Sequence, residues 1–323
     1  MPYNIPSAFR NWRRYCLSFL FVLVGYGTKA GFAPMHTWLP DGHGEAPFPV
    51  SALLSGVLLK SALYAILRFY TITNLNQGNA IFTSNILLFS GLLSLVLATP
   101  FILKGNKFKR VLAYHSLEHM GIIAFGIGIG GPVALFGALL HALNHALTKA
   151  LMFLTFGNVH REYASQARTS DLDEKQIIGV LTSMPLSGTV LLFGGLGLVG
   201  SPPFNIFLSE FIILWEGFKR IIHPSDAAGQ LPVGVYILAV ALFLITVTLI
   251  FGGLVGHMAR LLLDRPPFAG LQDHIVQLMP LLLLLVIIVI FGVWVPTWPI
   301  DFPQLLNQSV CILQNGAGER CRP

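Results

Sequence analysis

The sequence predicts an all-α polytopic membrane protein of about eight transmembrane helices, at least one of them broken. Three observations predict it. Hydrophobic residues fill 54% of the 323 positions and mean hydropathy is +0.71. Charged residues reach only 11%, where a soluble domain carries roughly 25%. Apolar runs of about twenty residues, the length a bilayer crossing needs, recur along the chain. This composition excludes a soluble globular enzyme, and equally a disordered or fibrous chain.

The candidate spans are about 15–33, 49–71, 81–103, 108–128, 131–157, 176–222, 232–263 and 275–298. Arg10, Arg13 and Arg14 precede the first run, in the charge-then-apolar order of a signal peptide. That run nevertheless contains Lys29, leads into Pro34-Met35-His36 and offers no small-residue cleavage site. It therefore reads as a spanning helix. Gly25, Gly27 and Gly31 loosen it, and Pro34 stops it. The sixth run is too long for one straight crossing. It holds Gly200, Ser201, Pro202 and Pro203, and two adjacent prolines remove two backbone donors, so the helix breaks there. Broken backbone at membrane depth survives only inside protein or beside water, which makes such breaks pointers to transport paths. The alternative is two short elements joined by a loop. The two Gly-rich breaks, each with one ionisable residue nearby (Lys29 and Glu210), suggest an internal structural repeat.

The remaining features are short connections. The longest polar one is about 158–175, with Arg161, Glu162, Arg168, Asp171, Asp173, Glu174 and Lys175. Net charge is +6, and the basic residues sit mostly between apolar runs, so they speak to topology and not to nucleic acid. Lys104, Lys107, Lys109 and Arg110 favour the cytoplasm for the 104–110 connection, whereas Arg10, Arg13 and Arg14 pull the other way. Cys16, Cys311 and Cys321 have no metal spacing, and free thiols are the favoured reading over a Cys311–Cys321 pair. Asp301, Glu319 and Arg320 read as solvated tail.

The ionisable residues inside the spans carry the functional signal, because a charge at the bilayer centre costs about 2.5 kcal/mol at the least. They are Lys29 in the first span, Lys60 in the second, His115, Glu118 and His119 in the fourth, His141, His145 and Lys149 in the fifth, and Glu210 after the sixth-span break. His141, His145 and Lys149 stand four apart, on one helical face at about 6 Å intervals. Asn144 and Thr148 widen the stripe. Imidazole accepts a proton on one nitrogen and releases one from the other, and a desolvated lysine titrates near neutrality. The face reads as a proton wire ending on a switchable cation. Rival readings remain: a metal site on His141 and His145 completed by Glu118 or His119, a hydrogen-bonded structural set, and snorkelling of Lys60 or Lys29. For Glu210 the rival is a carboxylate near a helix N-terminus, favoured by the macrodipole. His36, Trp38, Asp41, His43 and Glu45 form a polar loop, either a proton entry or a solvated turn.

These residues stand in motifs. Lys29-Ala-Gly-Phe-Ala-Pro-Met-His36-Thr-Trp-Leu-Pro-Asp41, Glu45-Ala-Pro47 and Leu58-Leu-Lys60-Ser-Ala-Leu-Tyr64 come first. Tyr114-His-Ser-Leu-Glu-His-Met-Gly121, His141-Ala-Leu-Asn-His145-Ala-Leu-Thr-Lys149-Ala-Leu-Met-Phe153 and Gly200-Ser-Pro-Pro203 with Ser209-Glu210 follow. In this order they resemble the antiporter-like proton-channel subunits of respiratory complex I, over about residues 20–222. The Glu118-His119 pair is similar to membrane subunits of formate-hydrogenlyase-type assemblies, of the hydrogenase-4 component F kind. The resemblance implies a proton- or cation-translocating subunit of a redox-driven complex in a bacterial or archaeal cell membrane. It implies other membrane subunits as partners and no cofactor, metal or catalytic residue in this chain. Lys29 then corresponds to the lysine of the first half-channel, Lys60 to the connecting lysine, His141, His145 and Lys149 to the axis of the second, and Glu210 to its terminal acid. Relatives of this kind have about fourteen spans, so the chain is expected to hold the C-terminal part: 15–71 a remnant of the first half-channel, 81–263 the second, 275–298 a final helix and 299–323 a tail. The helices that complete the first half-channel are then expected from a separate polypeptide or from a longer gene product. A multi-subunit cation/proton antiporter and a non-conducting structural fragment are the alternatives.

Overall fold

The computed structural model describes residues 7–77, 81–168, 172–223, 231–268, 271–295 and 302–315. Asp171, Asp301, Glu319, Arg320 and Cys321 lie outside the described residues, as do the side chains of Arg10 and Arg13. Among the described residues there are helices and connections and no strand.

Helix α1 (Ser7–Ala30) ends in a turn over 31–37 that contains Pro34. Two contacts fix that turn: the Ala33 N–H donates to Ser94 Oγ at 3.0 Å, and Trp38 Nε1 donates to the Thr28 carbonyl. The short α2 (Trp38–Glu45) and α3 (Phe48–Leu53) follow, the second started by prolines in its first turn. A π-helical turn over Leu54–Leu58 joins α3 to α4 (Leu59–Gln77), and such turns carry one extra residue. Then come α5 (Ile81–Lys104), α6 (Phe108–Ile129) and α7 (Pro132–Ala167). After a 3-10 turn at Glu174–Gln176 lie α8 (Val180–Ser183) and α9 (Pro185–Leu198). The chain continues with α10 (Asn205–Ile222), α11 (Val233–Leu263), α12 (Ile275–Val293) and α13 (Phe302–Asn315).

Helices α6 and α7 form the inner pair. Residues 115–129 of α6 are all buried. Helix α7 touches α3, α6, α9, α10, α12 and α13. In a bilayer, helices associate through close packing at small residues. Gly91 of α5 and Gly121 of α6 show this: a Cβ on Gly91 would lie 2.6 Å from the Gly121 carbonyl, and one on Gly121 would lie 2.8 Å from the Gly91 carbonyl. The backbones touch, and α6 is thereby set in depth and rotation.

Among the described residues, four helical stretches are long and apolar enough to cross a membrane: Phe48–Leu75, Ile81–Lys104, Val233–Leu263 and Ile275–Val293. The other expected crossings fall on α1, α6, α7 and the α9–α10 pair. Helices α6 and α7 are less apolar because they hold polar residues on inward faces, and α9 is apolar but only 14 residues long. The fifth run is longer than expected. Helix α7 continues to Ala167 and stops at Arg168, whose φ is 52°, since nothing between 158 and 167 breaks a helix. The connection read as 158–175 is correspondingly short. Part of the expected tail is helical: α13 packs on α4 and α7 and buries Val310 and Leu313. Cys311 is disulfide-bonded, against the favoured free-thiol reading.

Candidate functional site

The site grows from the α6–α7 contact. His115, Glu118 and His119 occupy one side of α6; His141, His145 and Lys149 occupy the facing stripe of α7; all six are buried. Residues four apart on α7 do not touch one another directly. His119 fills the space between them. Its Nδ1 lies 3.0 Å from His141 Nε2, and its ring centroid is 5.2 Å from His141 and 4.7 Å from His145.

From this hub the contacts run in two directions. On one side, His145 Nδ1 is bonded to Lys60 Nζ, which also donates to the Ser55 carbonyl at 3.0 Å. The π-helical turn sits directly before Lys60, and its Ser55 hydroxyl meets Ser116 Oγ of α6 at 2.9 Å. On the other side, His141 Nδ1 lies 3.0 Å from Ser209 Oγ of α10. Glu210 follows, with a carboxylate oxygen and one ring nitrogen each of His119 and His141 within 4.8 Å of one another. Asn144 donates to the Asn205 carbonyl at 2.7 Å and Thr148 to Asn205 Oδ1 at 3.2 Å, clamping the start of α10 to α7.

A second set lies beside the hub. His115 Nδ1 and Glu118 Oε2 are 2.6 Å apart. Lys149 Nζ donates to the Leu112 carbonyl of α6 at 2.5 Å and lies 5.8 Å from the Phe153 ring centroid. Among the described residues, Nε2 of His115, His119 and His145 have no hydrogen-bond partner, the condition in which buried polar atoms bind ordered water.

The break between α9 and α10 positions Glu210. Gly200 has φ of +70°, a conformation that costs glycine nothing. A Cβ there would lie 2.4 Å from Glu210 Oε2. The carboxylate thus rests against bare backbone at the break. Pro202 and Pro203 lie in the same 199–204 connection.

The donor atoms of two triads, His115–Glu118–His119 and His119–His141–Glu210, lie close enough together to suit a metal ion. Among the described residues, two ring nitrogens of the second triad are paired with each other, and the acid of the first is paired with its own histidine. The donor sets fit a metal in kind, and the hydrogen bonds use the same atoms.

The signature of the family described as NADH:quinone oxidoreductase/Mrp antiporter, TM matches residues 3–223. The chain belongs to this family. Among relatives of the antiporter family, the hydrogenase-4 component F homolog of Methylacidiphilum infernorum is 43% identical over 236 residues, covering 73% of this chain and 48% of that protein. Hydrogenase-4 component B of Escherichia coli K12 is 33% identical, covering 69% of this chain and 34% of its own length. Among solved structures, respiratory complex I from Thermus thermophilus with bound NADH matches with a TM-score of 0.73 at 25% identity, over 93% of this chain and 58% of the matched one. The Mrp complex from Dietzia sp. DQ12-45-1b matches with a TM-score of 0.74 at 18% identity, over 93% and 60%. The chain spans about half or less of the length of these curated relatives. It is an integral membrane protein of the antiporter type.

Within this antiporter-family chain, Lys60, His119, His141, His145 and Glu210 come together in one line, and His115, Glu118 and Lys149 lie alongside it. Lys29 does not join them; it is exposed in the last turn of α1. Pro34 is itself exposed, in the turn after it whose Phe32 and Ala33 are buried. The loop after α1 divides. Asp41 is exposed and pairs with Arg110 at 3.0 Å, whereas His43 is fully buried, its ring stacked on Phe153 at 5.2 Å. Ser55, Ser116, Asn205 and Ser209 were not singled out from sequence as site residues. Serine is common on helix faces, and only the partner across the interface distinguishes these four.

Proposed function

We propose that the chain conducts protons across the membrane as a subunit of a redox-driven complex of the hydrogenase-4 or complex I kind. One observation carries the reading: Lys60 bonds His145, the His145 and His119 rings pack 4.7 Å apart, His119 bonds His141, His141 bonds Ser209, and a Glu210 oxygen lies within 4.8 Å of ring nitrogens of His119 and His141. Each imidazole offers two nitrogens, so a proton taken on one side is given up on the other. Lys60 and Glu210 are the ionisable ends of the line, and Lys149 with Glu118 are the neighbouring charges whose state biases it. The names of the relatives, which include hydrogenase-4 components and formate hydrogenlyase subunit 3, support the redox-complex assignment. Residues 81–263 then act as one half-channel, and 15–71, with Lys29 and Lys60, belong to a neighbouring one. The partners are other membrane subunits, and the location is a bacterial or archaeal cell membrane. A second reading, a subunit of a multi-subunit cation/proton antiporter, is favoured by the likeness to the Mrp complex.

The test begins with the tagged chain purified in mild detergent, and mass spectrometry of whatever accompanies it. The recovered assembly is then reconstituted in vesicles with an internal pH-sensitive dye. Stoichiometric dehydrogenase or hydrogenase subunits are expected, with proton movement abolished by His119→Ala. Proton movement that survives His119→Ala defeats the relay. Proton–cation exchange without a redox partner would establish the second reading.

A further inference from the structure

Away from the relay, a cavity of about 690 Å³ opens where α5 ends and α6 begins. Lys104, Lys107, Arg110 and Lys175 line it, against the single carboxylate of Asp173. All four cations are exposed. Two of the five charged groups are already engaged: Arg110 pairs with Asp41, and Asp173 accepts from the Lys175 backbone N–H. The Lys107 side chain makes no capping bond at the start of α6, where the Glu174 carboxylate already accepts the Lys109 N–H, so the exposed lysines and Arg110 carry the attraction for a further anion. The buried Lys109 is not part of the lining. Its ammonium is spent on the Gly44 and Ala46 carbonyls.

One wall is apolar. Phe101 and Tyr114 stack with centroids 4.6 Å apart and planes within 3°. Phe101 is 46% exposed, near the end of a helix long and apolar enough to cross the bilayer. The cavity therefore sits at the level where headgroups meet acyl chains, and aromatic side chains favour that level. A soluble phosphate needs the cations alone. A phospholipid needs cations beside exposed apolar surface, and both are here.

We propose that this cavity binds the phosphate of an anionic phospholipid, with the glycerol and upper acyl chains lying along Phe101 and Tyr114. Lys107 and Arg110, at the helix start, hold the phosphate. Lys104 and Lys175 supply the surrounding field. The site is independent of the proton relay.

The full chain, purified in a non-ionic detergent, is mixed with detergent micelles holding equal amounts of phosphatidylglycerol and phosphatidylcholine. Retained lipid is counted by native mass spectrometry, and a parallel sample receives millimolar inorganic phosphate. Phosphatidylglycerol is expected to be retained preferentially. Each neutralised cation near a membrane surface weakens binding about fivefold, so Lys107→Gln with Arg110→Gln lowers retention roughly 25-fold. Lys107→Arg with Arg110→Lys, which keeps both charges, retains the preference. Arg68→Gln with Lys219→Gln, which removes exposed cations elsewhere, changes it less than twofold. Equal retention of the two lipids overturns the proposal, as does an equal loss in the Arg68/Lys219 variant. Displacement of phosphatidylglycerol by inorganic phosphate assigns the cavity to a soluble anion and overturns it as well.

Discussion

Gly200→Ala tests how the broken helix serves Glu210. A Cβ at residue 200 would lie 2.4 Å from Glu210 Oε2 and 3.2 Å from its Cδ. Ordinary van der Waals contact is about 3.5 Å, so the carboxylate must retreat by about 1 Å. The backbone penalty is of order 1–3 kcal/mol for a non-glycine residue at a φ of +70°, which leaves the chain folded. A displacement of about 1 Å at a reacting group lowers rate about 10²-fold. Proton movement in dye-loaded vesicles is therefore expected to fall about 10²-fold in Gly200→Ala, close to the loss in Glu210→Gln. The shorter carboxylate of Glu210→Asp, combined with Gly200→Ala, is expected to restore part of it. Gly252→Ala is the control, since a Cβ there meets nothing within 4 Å. Wild-type flux in Gly200→Ala beside a dead Glu210→Gln would refute the positioning role. Wild-type flux in both would remove Glu210 from the path.

Ser209→Ala removes the hydroxyl on His141 Nδ1 and is expected to slow proton movement about fivefold while assembly is unchanged, because a lost neutral hydrogen bond is worth about 1 kcal/mol. Its measure is vesicle flux against the yield of co-purified subunits. Gly91→Ala places a methyl group 2.6 Å from the Gly121 carbonyl and from the Phe125 nitrogen. Neither backbone atom can move cheaply, so overpacking of about 1–3 kcal/mol is expected as a lower melting temperature in detergent; an unchanged melting temperature would show that the α5–α6 contact is loose. Glu174, outside the spans, has its carboxyl pushed above the usual range by burial, partly offset by the Lys109 N–H it accepts and by nearby lysines. The folded state therefore holds this proton more tightly than the unfolded one. Its contribution to stability is complete below the ordinary glutamate range and is lost as pH rises through the raised value. Glu174→Gln is expected to flatten the dependence of melting temperature on pH just above the ordinary glutamate range.

The polar stripe on α7 was legible because residues 141, 145 and 149 repeat every four positions in an apolar run. The break at 200–203 was legible because prolines cannot continue a helix. Partnership was not legible. Spacing placed His141, His145 and Lys149 in one column, close enough for one water to link each pair. The structure instead inserts His119 from α6 and turns Lys149 toward the Leu112 carbonyl. Nor does periodicity reveal that Lys60 and His145, 85 positions apart, meet. The helical stretch at 302–315 escaped notice because it is only 14 residues long, too short for a crossing, and its burial depends on α4 and α7.

A line of histidines on one helix cannot pass a proton by itself. Neighbours at a four-residue spacing stand about 6 Å apart along the axis, twice a hydrogen-bond length. The gap must be closed by a group from a facing helix, and its ring must enter between two turns of the first. His119 does this only if α6 is held at fixed depth and rotation. The Gly91–Gly121 contact supplies that constraint from the far side of α6. The small residues of α5 and α6, the histidine on the opposite face of α6 and the stripe on α7 thus form one mechanical unit. A shift of α6 against α5 by even part of a turn separates His119 from both α7 histidines at once. That makes the Gly91–Gly121 contact, which touches no ionisable group, a place where movement elsewhere in an assembly could open or close the relay.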